Sequence, residues 1–346
     1  MLKKQKKTLF LIFGLIFILI ATFKSYKLYT TYFASNNKNI HKIYLYIPSN
    51  ATYQQVLDSI TARDFLKNSD TFIELANQRN LKTRFKPGKY PIKPNMNNRQ
   101  ILNMLLAGNQ EAVNIAFQNI RLKESFVALV TRKIECDSVM LMRLLDSTSF
   151  ISKYGFTKEN SYTMFIPNSY QLFWNTSAEK FFDKMHQEYL RFWNKNRLLK
   201  AKYLNLSPQQ VSILASIVDS EALMDNEMPT IAGLYLNRLQ KGIKLEADPT
   251  VIFANNDFTI HRVLNRHLRT PSPYNTYLNF GLPPGPITMP SIKAIDAVLN
   301  HENHNYIYMC AKEDFSGYHN FASSVTQHLI NAKKFQHALD QRNIKK

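Results

Sequence analysis

Residues 8–23, TLFLIFGLIFILIATF, run for sixteen positions without a charge. Lys3, Lys4, Lys6 and Lys7 precede the run, and Lys24 and Lys27 follow it. As a helix it measures about 24 Å, slightly short of a hydrocarbon core of about 30 Å. Lysines that snorkel, and an aromatic group of Tyr26, Tyr29, Tyr32 and Phe33, extend it to the interface. A cleaved signal peptide is the competing reading. No small-x-small site follows the apolar run, however, and no nearby cysteine can accept a lipid. We therefore read residues 8–28 as an uncleaved transmembrane anchor. The basic start puts residues 1–7 in the cytoplasm and the rest of the chain beyond the plasma (inner) membrane, as a single-pass protein.

With 346 residues the chain has room for about two domains. Lys+Arg number 44 against 25 Asp+Glu, a net charge of +19, which favours a polyanionic partner or an anionic surface. Nucleic acid is disfavoured, since the lysines are scattered and no nucleic-acid-binding motif appears. Cys136 and Cys310 are the only cysteines, so no CxxC or cysteine metal motif is possible. We read both as unpaired.

Residues 29–42 are polar and read as a linker. Residues 43–47 read as a strand closed by Pro48, and 53–63 and 70–79 as helices. Pro87-Gly88 marks a turn before a strand at 89–92, and Gly108 ends a helix at 98–106. With a strand-like 112–117, residues 43–118 make a small α+β module. Residues 119–346 form a larger mixed domain. Helices are expected at 125–134 and 138–146, a loop or short strand at 161–172, and one long amphipathic helix at 178–195. Phe181, Met185, Tyr189 and Phe192 on that helix read as core. Strand-like runs follow at 251–253 and 306–311, with helices at 291–299 and 325–339. His319 reads as a turn residue before the last helix.

Residues 207–250 carry the most suggestive chemistry. Ser207 is a good N-cap, Pro208 suits the first helical position, and Gln210 completes a capping box. Val211, Leu214, Ala215 and Val218 follow at helical spacing. Glu221 then falls on the rim of that apolar stripe and Asp219 on the opposite rim. Burial beside apolar surface raises a carboxyl pKa, which suits a general acid. A glutamate that merely ends a helix in water fits the pattern equally well. A second helix, 229–241, starts at a proline and stops on Gly242. Residues 271–290 hold six prolines and two glycines, which excludes a regular helix. Tyr274, Asn275, Thr276 and Tyr277 within them offer stacking faces and hydrogen-bond groups that suit a sugar. His301 and His304 read as a solvated loop rather than a zinc site. Six acids cluster nearby: Asp219, Glu221, Asp225, Glu227, Glu246 and Asp248. A glycosidase usually needs two carboxylates, and spacing alone leaves the pair open.

The runs LASIVDSE, NEMPTIAGLYLNRLQKGIKLEADPTVIF and PSPYNTYLNFGLPPGPI resemble the signature of the MltG (YceG-like) endolytic murein transglycosylases. The spacing from Glu221 through Glu227, Asn237-Arg238 and Asp248-Pro249-Thr250 agrees with that family, as does a terminal His-x-Phe, His319 and Phe321. So does the order of anchor, small LysM-like module and catalytic domain. The resemblance implies cleavage of the β-1,4 bond between MurNAc and GlcNAc inside peptidoglycan strands, leaving 1,6-anhydro-MurNAc ends, with no cofactor or metal. The family's catalytic acid maps onto Glu221. Asn237, Arg238, Asp248, Thr250, Tyr274, Asn275, Thr276 and His319 are the candidates for binding glycan, Arg238 by pairing with an acidic neighbour or a substrate carboxylate. Asp219 stands where the family often has Glu, and Ala222 where it often has Thr. The implied partners are glycan strands, the membrane and peptidoglycan synthases. Alternatives are a hydrolytic muramidase using Asp248 or Glu246 with Glu221, and a non-catalytic peptidoglycan-binding scaffold.

Overall fold

The structure is a computed structural model that describes residues 2–62, 65–260 and 262–342. It is a mixed α+β chain that divides into two compact units. Arg63, the expected end of one helix, lies outside the described residues, as do the side chains of Lys3 and Lys4 in the basic start.

The first unit comprises Met1–Asn114, Lys133–Glu135 and Gln171–Thr176. Helix α1 (Leu2–Tyr32) contains the apolar run and is the one helix among the described residues long and apolar enough to cross a membrane. Strand β1 (Ile43–Ile47) pairs antiparallel with β2 (Gly88–Ile92), Ile43 opposite Ile92. Helices α2 (Tyr53–Thr61), α3 (Ser69–Gln78), α4 (Leu81–Arg84) and α5 (Asn98–Ala107) complete the unit. Capping boxes at Thr52 and Asn97 start α2 and α5, and left-handed Gly108 ends α5. Leu45, Ile47, Phe72, Tyr90, Ile101 and Leu105 fill its core. The outlying residues 171–176 join through Trp174, whose ring meets Tyr46 edge-on at 5.1 Å.

The segment read as a linker is instead tied into this unit. Asn36 Nδ2 donates to Asn98 Oδ1 at 2.6 Å and to the Asn68 carbonyl at 2.7 Å. Asn98 Nδ2 donates to the Thr31 carbonyl and to Thr71 Oγ1, both at 3.1 Å. Thr31, Asn36, Asn37 and Asn98 are buried. The polar composition that looked like solvated chain serves a buried hydrogen-bond network.

The second unit comprises Ile115–Arg132, Cys136–Tyr170 and Ser177–Lys346. Strand β3 (Val113–Phe117) leads into α6 (Lys123–Thr131), α7 (Ser138–Asp146) and α8 (Thr148–Ile151). Strand β4 (Asn168–Leu172) pairs with β3. The helix expected at 178–195 is α9 (Ala178–Phe192), which ends slightly early, and a further helix, α10 (Lys195–Tyr203), follows it. Asn194 breaks them, its side chain capping the amides of Asn196 and Arg197 at 3.1 Å.

Helix α11 (Pro208–Glu221) is the centre of the unit. Every residue from Val211 to Val218 is buried, so it has no polar face. The apolar stripe understates this because Ser212 and Ser216 are short enough to be buried, each bonding back to its own helix. Helices α12 (Met228–Gln240), α13 (Asp248–Asn255), α14 (Asn265–Leu268), α15 (Ile292–Leu299) and α16 (Val325–Gln341) follow, with α12, α13 and α15 packed on α11. The strand-like 251–253 is thus helical. Pro249 sets the first turn, and packing on α11 outweighs the β preference of Val251 and Ile252. Strand β5 (Tyr308–Ala311) pairs antiparallel with β6 (His319–Ala322). His319 therefore opens a strand, opposite Ala311, instead of sitting in a turn. Both cysteines are free thiols.

Candidate active site

Glu221 is the last residue of α11, and the chain turns extended at Ala222 behind it. Its side chain opens into a cavity of about 280 Å³ shared with Tyr235, Arg238, Asp248, Tyr277 and His319. Part of the residue surface faces the cavity while protein packs round the carboxyl group. Burial lifts its pKa to about 7, the Tyr235 hydroxyl partly opposes this, and the charge of Asp248 adds to it. Tyr235, buried on α12, donates to Glu221 Oε1 at 2.9 Å. Tyr277 donates to Asp248 Oδ1 at 2.7 Å. The cavity wall thus carries three carboxyl groups, Glu221, Glu246 and Asp248, of which Glu221 and Asp248 each have their own tyrosine.

The histidine of β6 is held from a third direction. Glu227, 6% exposed, accepts the His319 backbone amide at 2.8 Å and bonds its Nδ1 at 2.7 Å. Both carboxylate oxygens are engaged, so the ring is fixed at the cavity wall.

Other expected ligands turn inward. Asn237 Nδ2 donates to the carbonyls of His304 and Tyr306. Thr250 and Thr276 are buried and share a hydrogen bond at 2.8 Å; Thr276 Oγ1 also accepts the Ala247 amide. Asn275, fully buried, donates to the carbonyls of Leu268 and Thr270. Tyr274 packs its ring 4.7 Å from Phe253 and is absent from the cavity wall. These groups clasp the proline loop and the start of α13, because an irregular segment inside a fold needs side chains to satisfy its backbone. Arg238 reaches the cavity wall, but its guanidinium bonds the carbonyls of Lys244 and Ile307 at 2.7 Å and pairs with Glu246. Glu246 itself sits in the left-handed region at φ 53°. Asp219 accepts the Ser291 amide and hydroxyl and so holds the residue that caps α15. The HENH loop is packed against α12, His304 Nε2 lying 2.9 Å from the Thr230 carbonyl.

Tyr277, one of the four loop residues whose chemistry suits a sugar, lines the cavity, and so does Tyr235, which the sequence-based candidates lack. A tyrosine inside the otherwise apolar IAGLYL run was the available signal, since a buried hydroxyl needs a partner.

The profile described as the YceG-like family matches residues 45–334. An endolytic murein transglycosylase of Bacillus subtilis (strain 168) is 37% identical over 109 residues, 32% of this chain and 30% of that protein. One of Streptococcus pneumoniae (strain R6) is 23% identical over 298 residues, 77% of this chain and 53% of that protein. The chain spans about half the length of the pneumococcal relatives it matches. The crystal structure of a yceG-like protein from Listeria monocytogenes shares the fold, with a TM-score of 0.55 at 22% identity over 84% of this chain and 99% of that one. With residues 45–334 matched, the chain belongs to the YceG-like family.

Proposed function

We propose that the chain is a lytic transglycosylase that cleaves murein strands internally, with Glu221 as both acid and base. The observation that carries this is a carboxyl group with a pKa near 7, enclosed in a cavity at the end of a buried helix. The names of the relatives support the substrate class. Protonated Glu221 gives its proton to the glycosidic oxygen between MurNAc and GlcNAc as the bond to C1 breaks. The MurNAc C6 oxygen then bonds to C1, and its proton passes to the Glu221 carboxylate, restoring the acid. The nucleophile is tethered, so neither water nor a second carboxylate enters the reaction. The product ends in 1,6-anhydro-MurNAc. Asp248, Tyr277 and His319 contact the sugar in this reading. Arg238 and the Asn237, Thr250, Asn275 and Thr276 clasps hold the walls.

Helix α1 serves as the membrane anchor in this proposal, with the catalytic unit outside the plasma membrane acting on nascent strands beside peptidoglycan synthases. The first unit is taken as LysM-like.

Product analysis tests the chemistry. Wild type should release chains one water lighter than reducing-end fragments. Glu221→Gln should lose activity by about 10²- to 10⁴-fold while staying folded. Anhydro products at the wild-type rate from folded Glu221→Gln would overturn the mechanism. One observation favours a second reading, hydrolysis: Asp248 lies in the same cavity as Glu221. Reducing ends in the digest would select it. Glu246 lines that cavity too but is paired with Arg238, which leaves Asp248 as the better second carboxylate.

A further inference from the structure

A murein strand carries carboxylates on its peptide branches, and the cavity around Glu221 offers them no free guanidinium. Arg238 is committed to two carbonyls and to Glu246. A second groove, of about 800 Å³, opens at the same end of α11. Ser220 and Ala222, the chain neighbours of Glu221, line it together with Arg121, Leu122, Leu223 and Phe258. Its volume is that of a ligand site.

The charges in this groove are unequal in what they already bind. Asp219 is taken by Ser291 and Asp225 by Lys293. Arg121 is exposed, and its guanidinium carbon lies 4.7 Å from the centre of the Phe258 ring. Beyond that ring it makes no hydrogen bond or ion pair among the described residues. The aromatic contact restrains the flat guanidinium and leaves its N–H edge for a planar, two-pronged partner. A carboxylate is such a partner. Leu122 and Leu223, the latter 77% exposed, supply apolar surface beside it for small aliphatic side chains.

We propose that this groove holds the peptide branch of the murein strand and that Arg121 binds a carboxylate of that branch. The proposal rests on murein being the substrate. It makes the chain selective for strands that still carry charged peptides, and separates that selection from the acid that cleaves.

The test compares Arg121→Ala and Arg121→Lys with wild type on native strands and on strands whose peptide carboxylates have been amidated. On native strands Arg121→Ala should raise KM about tenfold and leave kcat in place, with partial recovery in Arg121→Lys. On amidated strands wild type should show the same rise, and Arg121→Ala should add nothing to it, as for two partners of one interaction. An unchanged KM on native strands, or equal losses on both substrates, would overturn the proposal. Binding of native strands to Glu221→Gln, with and without Arg121→Ala, reads the groove without turnover. Binding that ignores Arg121 sinks the groove; Arg121-dependent binding with no cleavage by wild type sinks only the catalytic reading.

Discussion

Tyr235 decides where the Glu221 proton sits. The phenol is buried, and burial holds its pKa well above the ordinary value, so it remains a donor throughout the working range. It donates to Oε1, which leaves Oε2 to carry the acidic proton. Two substitutions should then move the pH profile in opposite directions. Tyr235→Phe removes the one contact that lowers the Glu221 pKa, so the acid stays protonated longer and the alkaline limb of the rate should move up. Asp248→Asn removes a charge that raises it, so that limb should move down. Each shift should be about half a unit to one unit, read from kcat/KM against pH. Shifts in the same direction would show that the limb reports some group other than Glu221.

At the scale of elements, close approach between backbones fixes how α12 and the proline loop pack against their neighbours. A Cβ built on Gly233 of α12 would lie 2.4 Å from the Glu302 carbonyl, and one on Gly285 of the proline loop 2.1 Å from the Glu159 carbonyl. Neither neighbour is the flexible end of a side chain. Gly233→Ala and Gly285→Ala should each cost about 1–3 kcal/mol, measured by denaturant unfolding. Gly242, with nothing within 4 Å of its built Cβ, has no such clash. Local signals reached most of these elements. The capping box at Ser207 located the start of α11, and the prolines at 271–290 marked a segment with neither helix nor strand. What they missed depended on partners far along the chain. Nothing local to Asn275 or Thr276 shows that their side chains close a loop instead of meeting a sugar. Likewise the choice for Arg238 between an acidic neighbour and a substrate carboxylate stays open until Glu246 folds against it, and His319 reads as a turn until β5 supplies its ladder partner.

Over the whole molecule, the two units differ in how they are held. The second is built on one helix buried on every side. The first joins an apolar core to a polar knot at the end of α1, where Asn36 and Asn98 meet. Asn98→Ala should leave Asn36, Thr31 and Thr71 short of partners inside the unit, at a cost of about 1–3 kcal/mol. Amide exchange at residues 31–38 should quicken first while the core around Ile47 and Tyr90 stays protected. Uniform loss of protection across the unit would show that the knot and the core unfold as one.

The seating of α1 in that knot makes the helix behave like a screw thread. A flexible joint transmits only reach, and any added residue simply lengthens it. Here the helix runs to Tyr32, whose hydroxyl bonds Gln78, and Lys27 pairs with Glu74 on α3. Each residue inserted below that point both lifts the first unit by about 1.5 Å and turns it by about 100°. In the proposed membrane setting, height above the bilayer and the compass direction the unit faces are therefore chosen together.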